Sequence, residues 1–240
     1  MFFLFVIVCL SFLKSLCLVI YYVQTQTKGN TILSVGSKQK NNTHVVEQIL
    51  DRAQPDLSYS MLLIGAALIA AGGIFTDSIP LLIASMIVAP LSAPILLLGL
   101  GIAAGSWRLL SRALGILVIS AVVVLIISFL AAIVLDHDRV PDILISFDGN
   151  RIVAVGVAVI SGIIAAYGAI SPKVSSAGTG IAIAVSLMPP LVATGVGLAP
   201  GGAPFTGALS LFLLNVLGIA VASALTFAAL GTGRIYRQRA

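Results

Sequence analysis

The residues best placed to do chemistry lie in two apolar segments interrupted by proline, "SMIVAPLSAP" (85–94) and "SLMPPLVATG" (186–195). A proline inside a helix supplies no backbone N–H, so the carbonyl four residues earlier loses its partner. Pro90 thereby frees the carbonyl of Met86 and Pro94 that of Pro90, while Pro189 and Pro190 free those of Val185 and Ser186. Carbonyls freed at the end of a half-helix suit a cation. Ser92, just ahead of Pro94, is expected to cap a second half-helix, whose positive end would favour an anion. Ser85, Ser186 and Thr194 either line a cavity or bond back to their own helices. Asn215 lies within the last apolar stretch, where an amide is costly unless bonded. Its partner is either a neighbouring helix or the broken segments. Asp77 in "FTDSIP" is placed at the outer interface, where the broken helix is capped through Thr76, Asp77 or Ser78, or where Asp77 meets a substrate or ion.

A lone proline in a membrane helix is ordinarily a tolerated kink. Small residues such as Gly99, Gly101, Gly195 and Gly197 also permit close helix packing with no substrate at all. Two disrupted segments at matching positions point instead to a functional centre.

Other chemistries find little support. No carboxylate or lysine is placed to make a proton relay inside the membrane. No HExxH, Ser/His pair or carboxylate dyad lies within the apolar segments, so no enzyme activity is expected. His44 and His137 stand alone in polar segments, and neither a metal site nor a cofactor is expected. Cys9 and Cys17 share the first apolar stretch and read as free thiols. The net charge of +5 comes from cations beside apolar segments rather than from a basic stripe with aromatics, which argues against nucleic acid.

The elements that must position these residues are membrane helices. The chain has 240 residues, 59% of them hydrophobic and only 9% charged, against about 25% charged in an ordinary soluble domain. Apolar stretches run over 1–23, 59–75, 80–104, 113–135, 152–171, 180–199 and 207–230, each near the ~20 residues that a spanning helix needs. The first, interrupted by Lys14, is expected to be an extra anchoring helix, a mis-started reading frame being the alternative. Residues 24–58 form a short polar juxtamembrane segment in which Val45, Val46, Ile49 and Leu50 share one face of a helix ended by Pro55.

Charge sets the topology. Arg108, Arg112, Lys173, Arg234, Arg237 and Arg239 fall on one side if all six core stretches span, joined by Lys28, Lys38, Lys40 and Arg52. The loop 136–151, with Asp136, Asp138, Asp142 and Asp148, falls on the other. This arrangement puts the basic tail 231–240 in the cytoplasm. The alternative is that 80–104 and 180–199 are re-entrant hairpins.

An internal repeat organises the core. "LGILVISA" (114–121) and "LGIAVASA" (217–224) are identical at six of eight positions. "LLIASMIVAPLSAP" (81–94) aligns with "IAIAVSLMPPLVAT" (181–194), superposing Pro90 on Pro190 and Leu91 on Leu191. A fainter match joins the region of Gly65 to that of Gly156. The expected fold is an all-α transmembrane bundle of two three-helix repeats, 59–135 and 152–230, with the middle helix of each broken at proline. An odd number of spans per repeat inverts the second, as in many secondary transporters.

"SMIVAPLSAPILLLGLGIAAG", "ISPKVSSAGTGIAIAVSLMPPLVATGVGLA" and "LFLLNVLGIAVAS" together resemble a prokaryotic family known as an uncharacterised hydrophobic domain, domain of unknown function three-eight-nine. The resemblance covers roughly residues 44–230. It implies a multi-pass protein of a prokaryotic cell membrane, often with a soluble N-terminal region longer than residues 24–58. It implies no substrate. The expected function is a small secondary transporter or channel for a small ion or anion, the alternative being a non-transporting scaffold, partner subunit or envelope-stress component. The bilayer is the first partner expected, and a homo-oligomer is a further one.

Overall fold

The computed structural model describes residues 47–135, 151–170, 176–199 and 205–232. The expectations for 1–23, for most of the juxtamembrane segment, for the acidic loop, for Lys173 and for the basic tail lie outside them. Among the described residues the regular structure is helical, with no strand. The principal elements are α1 (Leu57–Phe75), α2 (Ile79–Val88), α3 (Ser92–Ala104), α4 (Trp107–Leu135), α5 (Arg151–Ile170), α6 (Ser176–Gly197) and α7 (Phe205–Ala229).

Helices α1, α4, α5 and α7 are each long and apolar enough to cross a membrane, and the bent pair α2–α3 is so only when taken together, as a broken span or a re-entrant loop. The pattern of exposure says the same. On α7 the exposed stripe is Leu213, Leu217, Val221 and Leu225, while Phe212, Asn215, Ile219, Ser223 and Phe227 are buried. A water-facing helix would carry polar residues on its outer stripe. Here the outside is apolar and the few polar groups turn inward, as lipid demands. The chain is a helical membrane protein.

Local signals start and stop these helices. Asp56 caps α1, its carboxylate accepting from the Tyr59 N–H at 2.7 Å. Just before it, residues 47–52 are helical and bury Ile49. At the other end of α1, Asp77 takes a left-handed conformation with φ 47°. The Ser78 N–H then reaches the Gly73 carbonyl at 2.8 Å and the Asp77 N–H reaches that of Ile74 at 3.2 Å, which is a Schellman closure. The turn from α3 to α4 repeats it. Gly105 has φ 62°, the Ser106 N–H meets the Gly101 carbonyl at 3.0 Å and the Gly105 N–H meets that of Ile102 at 3.1 Å. In both turns a glycine four residues earlier lets the returning helix in. A Cβ on Gly73 would lie 3.0 Å from the Leu82 nitrogen, and one on Gly101 3.0 Å from the Leu110 nitrogen.

Helices α5 and α7 run parallel. A Cβ on Gly218 would lie 3.2 Å from the Ala158 Cβ, and one on Gly162, a turn further along α5, 2.9 Å from the Ala222 Cβ, a turn further along α7. Parallel neighbours joined through one helix require that helix to return the full distance, so α6 runs opposite to both. A re-entrant hairpin over 180–199 does not fit this geometry.

Helix α6 is the centre of the bundle. It packs against α2, α4, α5 and α7, and more lightly against α1 and α3. Every side chain from Ser186 to Gly197 is buried. A helix that is apolar all round belongs in such a position.

Candidate functional site

The two proline-bearing elements are neighbours, α2 packing on α6. They differ in how they treat their prolines. Helix α2 stops at Val88, and Ala89 is extended with ψ 124°, as the residue before a proline is pushed to be. Helix α3 then starts at Ser92 at an angle of 56° to α2. Pro94 is the third residue of α3, within the first turn, where a missing N–H leaves no helical bond unmade. The expected cap at Ser92 does not form. Leu91 occupies the N-cap position in a helical conformation with no side-chain bond, and Ser92 is already inside the helix.

The expected break at Pro189 and Pro190 does not occur either. Helix α6 continues through both residues. The physical reason sits on α7. Pro190 strips the Ser186 carbonyl of its backbone donor, and the Asn215 amide replaces it, with Nδ2 donating to that carbonyl at 2.6 Å. One turn further on, the Thr194 hydroxyl donates to the Pro190 carbonyl at 2.7 Å. The Asn215 side chain thus satisfies one of the two carbonyls that the prolines orphan, whereas the Thr194 hydroxyl only adds to a carbonyl that keeps its helical donor.

The remaining site residues are distributed as follows. Ser85 is buried and donates to the Leu82 carbonyl at 2.6 Å. Met86 and Pro94 are buried, and Pro90 and Ser92 are half-buried at the bend. The side chain of Val185 lies outside the described set. Asp77 is exposed in the α1–α2 turn, with Ser78 at the N-cap of α2 making no side-chain cap bond. Thr76 turns its hydroxyl back to the Gly72 carbonyl at 2.8 Å. The structure therefore joins Ser186 directly to Asn215 and leaves Asp77 in a turn.

At the junction of α6 and α7 two polar atoms are buried without a hydrogen-bond partner, Ser186 Oγ and Asn215 Oδ1. The amide orientation follows from chemistry. The Ser186 carbonyl can only accept, so the nitrogen must face it and the oxygen must face away. Ser186 is 8% exposed and Asn215 4%, and each lies near the middle of its helix.

Two further contacts involve serines that the sequence did not single out. The side chain of Ser128 on α4 occupies the space that a Cβ on Gly195 of α6 would need. The side chain of Ser223 on α7 does the same at Gly99 of α3. Each contact joins the last helix of one half of the chain to the proline-bearing element of the other half. Ser120, aligned with Ser223 in the repeat, instead bonds the Tyr59 hydroxyl at 2.8 Å and ties α4 to α1. The Ser120–Ser223 alignment is the only signal in the sequence, it is weak where small residues are so common, and it does not reach Ser128.

The family model described as "Domain of unknown function (DUF389)" matches residues 86–221, a span that includes the prolines of both segments and Asn215. An uncharacterized protein of Methanocaldococcus jannaschii is 32% identical over 176 residues, which cover 71% of this chain and 53% of that protein. The chain thus spans about half the length of the curated relative it matches. No solved structure matches the chain.

Proposed function

Because this chain belongs to the family described as "Domain of unknown function (DUF389)", we propose its function from its architecture: a small, non-enzymatic secondary transporter or channel. In this reading two inverted three-helix repeats place a site near the membrane midplane between α2–α3 and α6. The protein sits in a prokaryotic cell membrane with a cytoplasmic C-terminus, and its substrate is a small ion or anion.

The observation that carries this reading is the exchange of helices between the halves, α4 packing on α6 with Ser128 at Gly195 and α7 on α3 with Ser223 at Gly99. Each half lends its last helix to the proline-bearing element of the other. A pseudo-two-fold arrangement produces such an exchange, and transporters use it to rock one repeat against the other around a central site. The parallel course of α5 and α7 adds support, since three full crossings per repeat are what inversion requires.

The test is flux. Full-length protein reconstituted into liposomes is expected to move an ion or small anion, and Pro189→Ala with Pro190→Ala is expected to change flux more than expression. A broad screen with neither flux nor ligand-dependent thermal stabilisation counts against transport.

One observation favours a second reading, that of a non-transporting scaffold, partner subunit or envelope-stress component. Helix α6 is buried along its whole stretch from Ser186 to Gly197, as a purely structural centre would be. A stably co-purifying partner and absence of flux would support it.

A further inference from the structure

We propose that Ser186 and Asn215 form the core of a binding site for one alkali-metal cation of the sodium class. This deepens the transport reading and rests on it for its role, though not for its chemistry.

Four other buried hydroxyls, those of Ser85, Ser128, Thr194 and Ser223, each donate to a carbonyl of their own helix, whereas Thr232 Oγ1, at the end of the described residues, has no partner. Such donation is the cheapest way to hide a hydroxyl in an apolar interior. Ser186 lies in the same kind of surroundings and does not do so. Its Oγ is unpartnered, and the backbone carbonyl of the same residue takes the amide nitrogen of Asn215, whose Oδ1 is unpartnered too. Buried polar atoms left unpaired are rare because each carries its full desolvation cost. Two of them, on residues that already touch each other, call for a shared ligand.

The donor set selects the class of ligand. Asn215 Oδ1 can only accept, and Ser186 Oγ accepts readily once its proton points away. Pro189 removes the helical donor of the Val185 carbonyl, which puts a third oxygen on the same turn of α6. Three neutral oxygens suit an alkali cation, which sheds part of its hydration for carbonyl and hydroxyl oxygens in channels and transporters. Divalent ions call for carboxylates. The carboxylates among the described residues, Glu47, Asp51, Asp56 and Asp77, all precede α2, and none is on α6 or α7. A single buried water could meet the same oxygens, and it is the outcome that would overturn the assignment.

The experiment is thermal unfolding of the purified full chain, with choline chloride replaced stepwise by sodium, potassium or lithium chloride at constant ionic strength. A saturable rise in Tm of about 3 °C is expected with sodium. Ser186→Ala keeps the backbone carbonyl and the Asn215 bond, so its Tm in choline chloride should stay near that of the wild type. Its half-saturating sodium concentration should rise about tenfold. Asn215→Asp loses the donor to the Ser186 carbonyl and should have a lower Tm in choline chloride, but its added charge should lower the half-saturating concentration about tenfold, which decides the matter if Ser186→Ala does not fold. No saturable cation effect, or an equal effect in all three proteins, overturns the site and leaves a buried water. Parallel flux measurements separate the two proposals. Cation binding without flux removes the transport reading and leaves the site, whereas flux of another solute without any cation effect removes the site and leaves transport.

Discussion

Asn215 on α7 donates its amide to the carbonyl of Ser186 on α6, the same carbonyl that Pro190 deprives of its backbone donor. The side chain thus stands in for the missing N–H, and the two residues form one structural unit. Asn215→Leu orphans the carbonyl and is expected to lower stability by about 1–2 kcal/mol, the range for buried hydrogen bonds between membrane helices. Pro190→Ala restores a backbone donor to Ser186. In that background the cost of Asn215→Leu should fall by at least half. A double-mutant cycle followed by denaturant unfolding in detergent reads this coupling directly. Additive costs would mean that Asn215 does not compensate for the proline.

The serine–glycine seats make a second prediction. A Cβ at Gly195 runs into Ser128 and one at Gly99 into Ser223, so Gly195→Ala and Gly99→Ala should each destabilise by about 1–3 kcal/mol. Gly162→Ala should cost about as much as Gly195→Ala and more than Gly99→Ala. Its Cβ would sit 2.7 Å from the Ile219 carbonyl oxygen and that of Gly195 2.8 Å from the Leu125 carbonyl oxygen, and backbone yields less than a side chain. Gly115, inside α4, has nothing within 4 Å of its would-be Cβ. Gly115→Ala should raise stability slightly through helix propensity. Thermal unfolding of the four variants checks the order.

The contrast between these sites shows what the sequence made legible. Helix positions followed from apolar length alone, because lipid forces every apolar run to satisfy its own backbone. The orphaned carbonyl of Ser186 and the need of Asn215 for a partner were each readable. Their union was not, since the two residues are 29 positions apart and only the packing of α7 on α6 brings them together. The same contact is why α6 stays whole, since the cost of two prolines within one helix falls in part on a neighbour. Gly195 and Gly99 read as generic packing residues, because no local rule says which side chain fills the space they leave. Ser92 missed its capping role by a single position. Leu91 takes up a helical conformation there, which no propensity announces.

Asp77 offers a third test, of a residue whose sequence reading left ligand and turn both open. Its left-handed φ and its Schellman bonds match those of Gly105 in the other turn. A glycine should therefore serve at this position, with Asp77→Gly within about 0.5 kcal/mol of the wild type. Asp77→Ile would force a β-branched residue into the left-handed region and should cost about 1–2 kcal/mol. If Asp77→Gly abolishes flux while its unfolding is unchanged, the carboxylate has a role in transport beyond the turn.

The path of the bent pair α2–α3 can be settled by labelling from the two sides of the membrane. With 10 and 13 residues, the two helices are together about 35 Å long at ~1.5 Å per residue. That is enough to cross a ~30 Å hydrocarbon core despite a bend. Each end closes in a tight Schellman turn, at Asp77 and at Gly105. The second turn is followed by Arg108 and Arg112, the charges expected on the cytoplasmic side. In a protein with Cys9 and Cys17 replaced by serine, Asp77→Cys should react with a membrane-impermeant maleimide added outside intact cells. Ser106→Cys should react only after the cells are opened. A re-entrant hairpin would put both turns on one face, and the two cysteines would then react from the same side. Leu191→Cys, buried on α6, should stay unreactive in both conditions. Any reactivity gained there when sodium is exchanged for choline would show that the bundle opens around the Ser186–Asn215 pair.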